Sequence, residues 1–113
     1  MPSERSEIAD GTLLVRTETD GDTDTIAFCG ELDLANANTA ETALKSSLAA
    51  GNSVVVDMRE LEFIDSTGIA ILVAALNGDD DGSRIKFIPS AAPAVARVLE
   101  LTGLAERMPL ADA

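Results

Sequence analysis

Two kinds of hydrophobic spacing alternate along the chain. "GTLLVRTE" (11–18) and "DTIAFCGEL" (24–32) are β-rich runs separated by the turn residues "TDGD", which reads as a hairpin. From 34 to 50 the period lengthens: Leu34, Ala37, Leu44 and Leu48 recur at helical spacing, and Gly51 ends the run. Asn36 or Asn38 is the expected N-cap of that helix. "SVVVDM" (53–58) is short and apolar almost throughout, the pattern of a strand buried on both faces. Ile69, Leu72, Val73 and Leu76 then fall at i, i+3, i+4 and i+7, an amphipathic helix stopped by Asn77 and Gly78. "RIKFIP" (84–89) is a further strand. Ser90 is expected to open a third helix with Val95, Val98 and Leu99 on one face and Gly103 just past its end. The tail "LAERMPL" is either a last edge strand or irregular.

The resulting order is β-β-α-β-α-β-α, with an extra C-terminal edge strand as an option. Strands alternating with helices imply an α/β sheet with parallel neighbours and helices packed on it. Sites in such sheets gather at loops leaving the carboxyl ends of strands. Two loops qualify: "GELD" (30–33) into the first helix, and "RELEFIDSTG" (59–68) into the second.

Composition narrows the class. A chain of 113 residues is expected to form a single domain over 1–113, with 1–10 as a flexible N-terminal segment. That length can bury roughly 65% of the unfolded surface. The first ten residues have no apolar core of the kind a secretory signal needs. "IAILVAAL" (69–76) is the longest apolar run, far short of the about 20 residues that span a bilayer. A cytoplasmic protein is therefore expected. The formal charge of −12, from 20 acidic and 8 basic residues, repels nucleic acid and anionic lipid, so neither is expected as a partner.

Chemistry is limited by what the chain lacks. There is no histidine, which removes Ser-His-Asp and Cys-His arrangements and the usual histidine metal clusters. The single Cys29 has no disulfide partner within the chain and is expected to pack as a small hydrophobe, with redox sensing the lesser reading. No G-x-x-x-x-G-K-[ST] is present to cradle a phosphate. A receiver-type phosphoacceptor at Asp57 would need a magnesium-binding carboxylate cluster and a lysine at a strand end. The first strand ends in no acidic pair, and Lys86 lies inside its strand.

That leaves the tetrad Asp65-Ser66-Thr67-Gly68 at the mouth of the second helix. Asp or Ser at this position caps free N–H groups, worth about 1 kcal/mol. Gly68 allows close backbone approach. Capping and the presentation of a hydroxyl for chemistry both fit the spacing.

"GELDLANA" (30–37), "VVVDMRELEFIDSTGIAIL" (54–72) and "LELTGL" (99–104) together resemble the anti-sigma factor antagonists, the single-domain STAS family, over about residues 11 to 108. The resemblance implies a STAS-like mixed β-sheet with helices packed against it. It also implies a non-catalytic, partner-switching transcription regulator with no cofactor of its own. Its partners would be an anti-sigma factor with serine kinase activity and a separate serine phosphatase. The family's phosphorylated serine follows the aspartate of D-S-[ST]-G, which is Ser66 here. Gly30, Glu31 and Asp33 of the G-E-[LI]-D motif, with Asp65, Thr67, Gly68 and Ile69, would form the partner-binding surface. The family often has a second glycine two positions after Gly68, where this chain has Ala70. The rival reading is a constitutive interaction module or scaffold in a sensory assembly, not regulated by phosphorylation.

Overall fold

The computed structural model describes residues 4–79 and 84–111. Three antiparallel strands, β1 (Glu4–Asp10), β2 (Leu13–Asp20) and β3 (Thr23–Leu32), form a meander. The chain continues through α1 (Ala37–Ala49), β4 (Ser53–Asp57), β5 (Leu61–Ile64), α2 (Ser66–Asn77), β6 (Ile85–Ile88), α3 (Pro93–Leu101) and the short α4 (Leu104–Arg107). The sheet order is β1-β2-β3-β4-β6, with β4 parallel to β3 and β6 parallel to β4. β4 follows β3 over residues 23–27, and β5 takes up the parallel pairing at Gly30–Leu32.

The helices cover one face of this sheet. Leu13 and Val15 of β2, Ile26 and Phe28 of β3, Val54 and Val56 of β4, and Ile85 and Phe87 of β6 alternate inward and are fully buried. They meet Ala40 and Leu44 of α1, Ile71 and Leu72 of α2, and Val95 and Leu99 of α3 in a single core. On the other face the registers Glu7↔Arg16 and Arg5↔Glu18 set opposite charges across from one another. Arg16 lies 3.1 Å from Glu7 and 3.6 Å from Glu60. That face is a wet, charge-paired surface.

Several elements depart from the pattern reading, each for a physical reason. Residues 4–10 were expected to be flexible, but they form β1, paired along its whole length with β2; residues 1–3 lie outside the described residues. β1 offers little apolar signal because it is a fully peripheral edge strand. β4 is not buried on both faces: Val54 and Val56 point into the core and Val55 to the open face. The stretch 59–68 is not one loop, since β5 occupies its middle. Leu34 obeys helical spacing yet precedes α1 and is 76% exposed. In α2 the buried positions are Gly68, Ile71, Leu72 and Ala75, a face turned from the expected one; Ile69, Val73 and Leu76 are half-buried. α3 begins at Pro93 rather than at Ser90. Ser90 holds the approach to it, its hydroxyl donating to the Leu61 carbonyl (2.7 Å) and accepting from Ala92 N–H (3.0 Å). The tail is neither a full edge strand nor irregular throughout. It makes the turn of α4, and then Phe87 N–H donates to the Pro109 carbonyl and Ala111 N–H to the Phe87 carbonyl, at 2.8 and 2.9 Å.

Candidate functional site

The site is built where β3 and β5 end. Gly30 has φ +100°, and a Cβ there would collide with the Thr12 carbonyl, so only glycine fits. A bulge between Gly30 and Glu31 turns the strand out of register and sends the chain toward α1. Asn36 stands at the N-cap position of α1, but its side chain makes no cap bond. It turns back instead: its Oδ1 accepts Asp33 N–H (3.0 Å) and its Nδ2 donates to the Glu31 carbonyl (2.9 Å), all in a buried position. Asp33 Oδ1 accepts Ala35 N–H at 3.0 Å, the local closure typical of a turn aspartate. The "GELD" loop is thus held by its own side chains.

Asp65 joins this loop to the second one. Its backbone is extended, and its Oδ1 accepts from both Thr67 N–H (2.9 Å) and Gly68 N–H (3.1 Å), capping α2. Its Oδ2 accepts Leu34 N–H at 3.1 Å, and its own N–H donates to the Leu32 carbonyl at 3.2 Å. One carboxylate therefore closes a helix end and ties together loops 31 residues apart.

The expected site residues divide by exposure. Ser66 is exposed at the first position of α2, immediately beside the cap and not part of it. Glu31 is exposed, and Gly30, Asp33, Asp65, Thr67 and Ile69 are half-buried. Gly68 is buried: a Cβ would come within 2.6 Å of Ile64 Cγ1 and 2.9 Å of Leu32 Cγ. Gly68 shapes the site from beneath, by letting α2 sit on the ends of β3 and β5, and offers no contact surface itself. Two participants were missed by sequence reasoning. Asn36, expected with Asn38 as a candidate N-cap, does stand at that position, but its side chain holds the "GELD" loop instead. Leu34, placed in the first helix by its spacing, precedes that helix and stands in solvent beside Thr67. The signal available for Leu34 was its place two residues before a candidate cap, where a helix has not yet begun.

Other titratable groups lie away from Ser66. The Arg59 guanidinium, 2.8 Å from Asp57, holds the Asp57 carboxyl below the usual carboxylate range. Asp57 is thereby committed to an ion pair. Burial, with Glu60 nearby, pushes the Cys29 thiol up, so it stays protonated, its Sγ 3.8 Å from Glu60 Oε2. Among the described residues no group of acidic and cysteine side chains could hold a metal ion, and no helix is long and apolar enough to cross a membrane.

A mixed sheet thus carries helices on one face, with a second helix that is capped by Asp65 and leaves Ser66 exposed at its first position. The chain belongs to the STAS domain family: the family model described as "Mlab, STAS domain" matches residues 15–111. Among solved structures, an anti-sigma factor antagonist from Mycobacterium paratuberculosis superposes with a TM-score of 0.81 at 25% identity, covering 93% of this chain and 90% of that one. The anti-sigma factor antagonist SpoIIAA in its unphosphorylated form gives 0.72 at 20% identity, covering 87% and 88%. The Bacillus cell fate determinant SpoIIAA in its phosphorylated form gives 0.64 at 20% identity, covering 87% and 91%. The two SpoIIAA likenesses are likenesses of fold. No curated protein matches the chain.

Proposed function

We propose that this protein is an anti-sigma factor antagonist that works by partner switching and catalyses nothing itself. In its unmodified state it binds an anti-sigma factor with serine kinase activity and so releases a sigma factor. Phosphorylation of Ser66 dissolves that complex, and a serine phosphatase restores it. ATP and magnesium belong to the kinase.

The observation that carries this reading is the division of labour inside the tetrad. Asp65 takes the Thr67 and Gly68 N–H groups, so the helix is capped without Ser66, and the Ser66 side chain is left exposed. A residue that is structurally dispensable and presented at a fixed helix end suits a reversible modification. Fold-level likeness to antagonists known in unphosphorylated and phosphorylated forms supports the same choice.

The capped helix end also shapes the switch. A free helix N-terminus welcomes negative charge, but here a carboxylate already accepts those N–H groups. A phosphate of about −1.5 to −2 charges on Ser66 would therefore stand outward beside Asp65, toward the partner.

The test is incubation with the candidate kinase and ATP, followed by mass-spectrometric mapping. Phosphate is expected on Ser66 and absent from the Ser66→Ala variant. Uptake at the normal rate by Ser66→Ala would sink the assignment. Binding of an anti-sigma factor with no modification by any kinase would favour the constitutive interaction module.

A further inference from the structure

The run between Asp65 and Asp79 contains no charged residue, in a chain that is 25% charged. Between Ser66 and Asn77 at its two ends, the exposed residues of α2 are Ala70 and Ala74, whereas α1 exposes Lys45 and α3 exposes Arg97 and Glu100. A helix apolar on all sides is normally buried on all sides. Here one side is open, and it forms part of a groove. At the head, a cavity of about 500 Å³ is lined by Leu34, Ala37, Thr67, Ala70, Ile71 and Ala74 among others. It runs on into one of about 230 Å³ between Leu44 and Leu48 of α1 and Ala75 and Gly78 of α2, with Glu41, Ile71 and Ala74 shared between the two. The groove spans Thr67 to Gly78, roughly 16 Å at the α-helical rise.

We propose that this α1/α2 groove is the seat of an amphipathic helix of the anti-sigma factor, with Ser66 at its upper rim; the proposal rests on the function inferred above. Three observations choose that occupant. Ala70, Ala74 and Gly78 recur every four residues, the row into which the ridge of a third helix packs. Leu34, 76% exposed, is held at the head of the groove because its N–H is bonded to Asp65, so an apolar anchor stands ready at fixed cost in entropy. The rim around Ser66 is acidic at the head, with Glu31, Asp33 and Asp65, and calls there for basic residues flanking the partner's apolar stripe. Along the side, Glu41 is already paired with Lys45 at 3.7 Å. The same net charge of −12 opposes a second copy of this chain as the occupant. The proposal also assigns a mechanism to phosphorylation. The phosphate does not close the groove. It blocks seating at the rim, where the partner's helix must pass Ser66 and Leu34 together.

The test titrates the full chain against a full-length anti-sigma factor from the same organism. It compares wild type, Ala74→Arg, Leu34→Ala, Ser66→Glu and the control Ala94→Arg on the exposed side of α3, with circular dichroism and melting to verify the fold. Ala74→Arg and Leu34→Ala are expected to weaken binding at least tenfold, Ala94→Arg less than twofold, with all variants folded. If both groove variants bind as wild type does while Ser66→Glu is weakened, the groove is not the seat although the antagonist reading stands. If no anti-sigma factor binds wild type, the antagonist reading falls and takes this occupant with it. Cross-links from Cys introduced at position 74, in a Cys29→Ser background, should reach partner residues three or four apart; a consecutive run would mean an extended segment and overturn the helix. A wild-type dimer in sedimentation that Ala74→Arg abolishes would give the groove to a second copy and overturn the proposal.

Discussion

The two ends of the sheet are both closed by aspartates and amides, yet one of them presents an exposed hydroxyl and an exposed apolar side chain that its network leaves out. At the end where β3, β4 and β6 begin, Asp24 is buried and accepts from the Thr19 hydroxyl (2.6 Å) and Asn52 Nδ2 (3.0 Å). Arg84 reaches across to the Leu48 and Asn52 carbonyls at 2.7 and 2.9 Å, and its N–H donates to Asp79 Oδ2. These side chains bond to one another and to backbone and serve stability; the oxygen they leave without a partner among the described residues, Asp79 Oδ1, is buried and offers nothing to a binding partner. At the opposite end Asp65, Asp33 and Asn36 tie loops just as firmly, but the network leaves Ser66 and Leu34 outside it. Similar residue types do both jobs. What sets the candidate functional end apart is that the groups its network does not use, a hydroxyl and an apolar side chain, are exposed.

The sharpest way to break the comparison is to disturb the packing under the functional end. Gly68→Val would drive two methyl groups into Ile64 and Leu32, which already crowd the position. Overpacking of this kind costs about 1–3 kcal/mol, at the high end here because the neighbours are themselves buried. Chemical denaturation should show that loss, and a neutral result would mean that α2 is not pinned to the strand ends. Next comes the closed end. Arg84→Ala removes two charge-assisted bonds to carbonyls and should cost about 2 kcal/mol with binding of the anti-sigma factor unchanged. Asp65→Ala should cost about 1–2 kcal/mol as a lost cap and, unlike Arg84→Ala, should also weaken binding, because it frees Leu34. If both variants affect stability and binding alike, the two ends are not functionally distinct.

Acid sharpens the comparison further. At the closed end, burial would raise the Asp24 carboxyl, but hydrogen bonds with Ser47, Thr19 and Asn52 outweigh it and hold it below the ordinary value. Asp57, bonded to Arg59, is also held low. A carboxyl depressed in the folded state contributes stability that is present above its unfolded pKa of about 3.9 and is lost as pH falls through the folded value. Stability should therefore decline below about pH 4, and Asp24→Asn should flatten part of that decline in melting curves taken across pH 2 to 6. An unchanged acid limb would mean that Asp24 carries no such linkage.

Much of this was legible from the chain alone, and the parts that were not share a cause. The alternation in 13–20 and 24–32 and the β-branched run at 53–57 were readable because those strands bury a full face. β1 and β5 were not: "ERSEIAD" has one large apolar residue, and "LEFI" is four residues long and defined by its pairing with β3. The tetrad itself announced a helix start, and the structure puts Asp65 at the cap and Ser66 at the first helical position. Leu34 misled because spacing records period, not which residue lies inside. The link from Asp65 to Leu34 could not be read at all, since it joins residues 31 apart that only the fold brings together.

The smallest expected effect on stability belongs to the residue given the largest role. Ser66 is exposed and takes no part in the cap, so Ser66→Ala should change stability by less than about 0.5 kcal/mol. Phosphorylation should be nearly as mild for the fold. Asp65 keeps the Thr67 and Gly68 N–H groups, so the added phosphate need not enter the helix end, and circular dichroism should be unchanged. The penalty belongs to the complex. One new like-charge contact near 4 Å is worth up to about 4 kcal/mol at an effective dielectric of 20. Each 1.4 kcal/mol is about tenfold in affinity, so even a third of that penalty suffices to release a partner tenfold. Calorimetry with phosphorylated protein should show at least that drop, with a melting temperature within a couple of degrees of the unmodified chain. A phosphorylated protein that melts much earlier would mean that the phosphate has displaced Asp65 from the cap. Binding as tight as before would remove Ser66 from the switch.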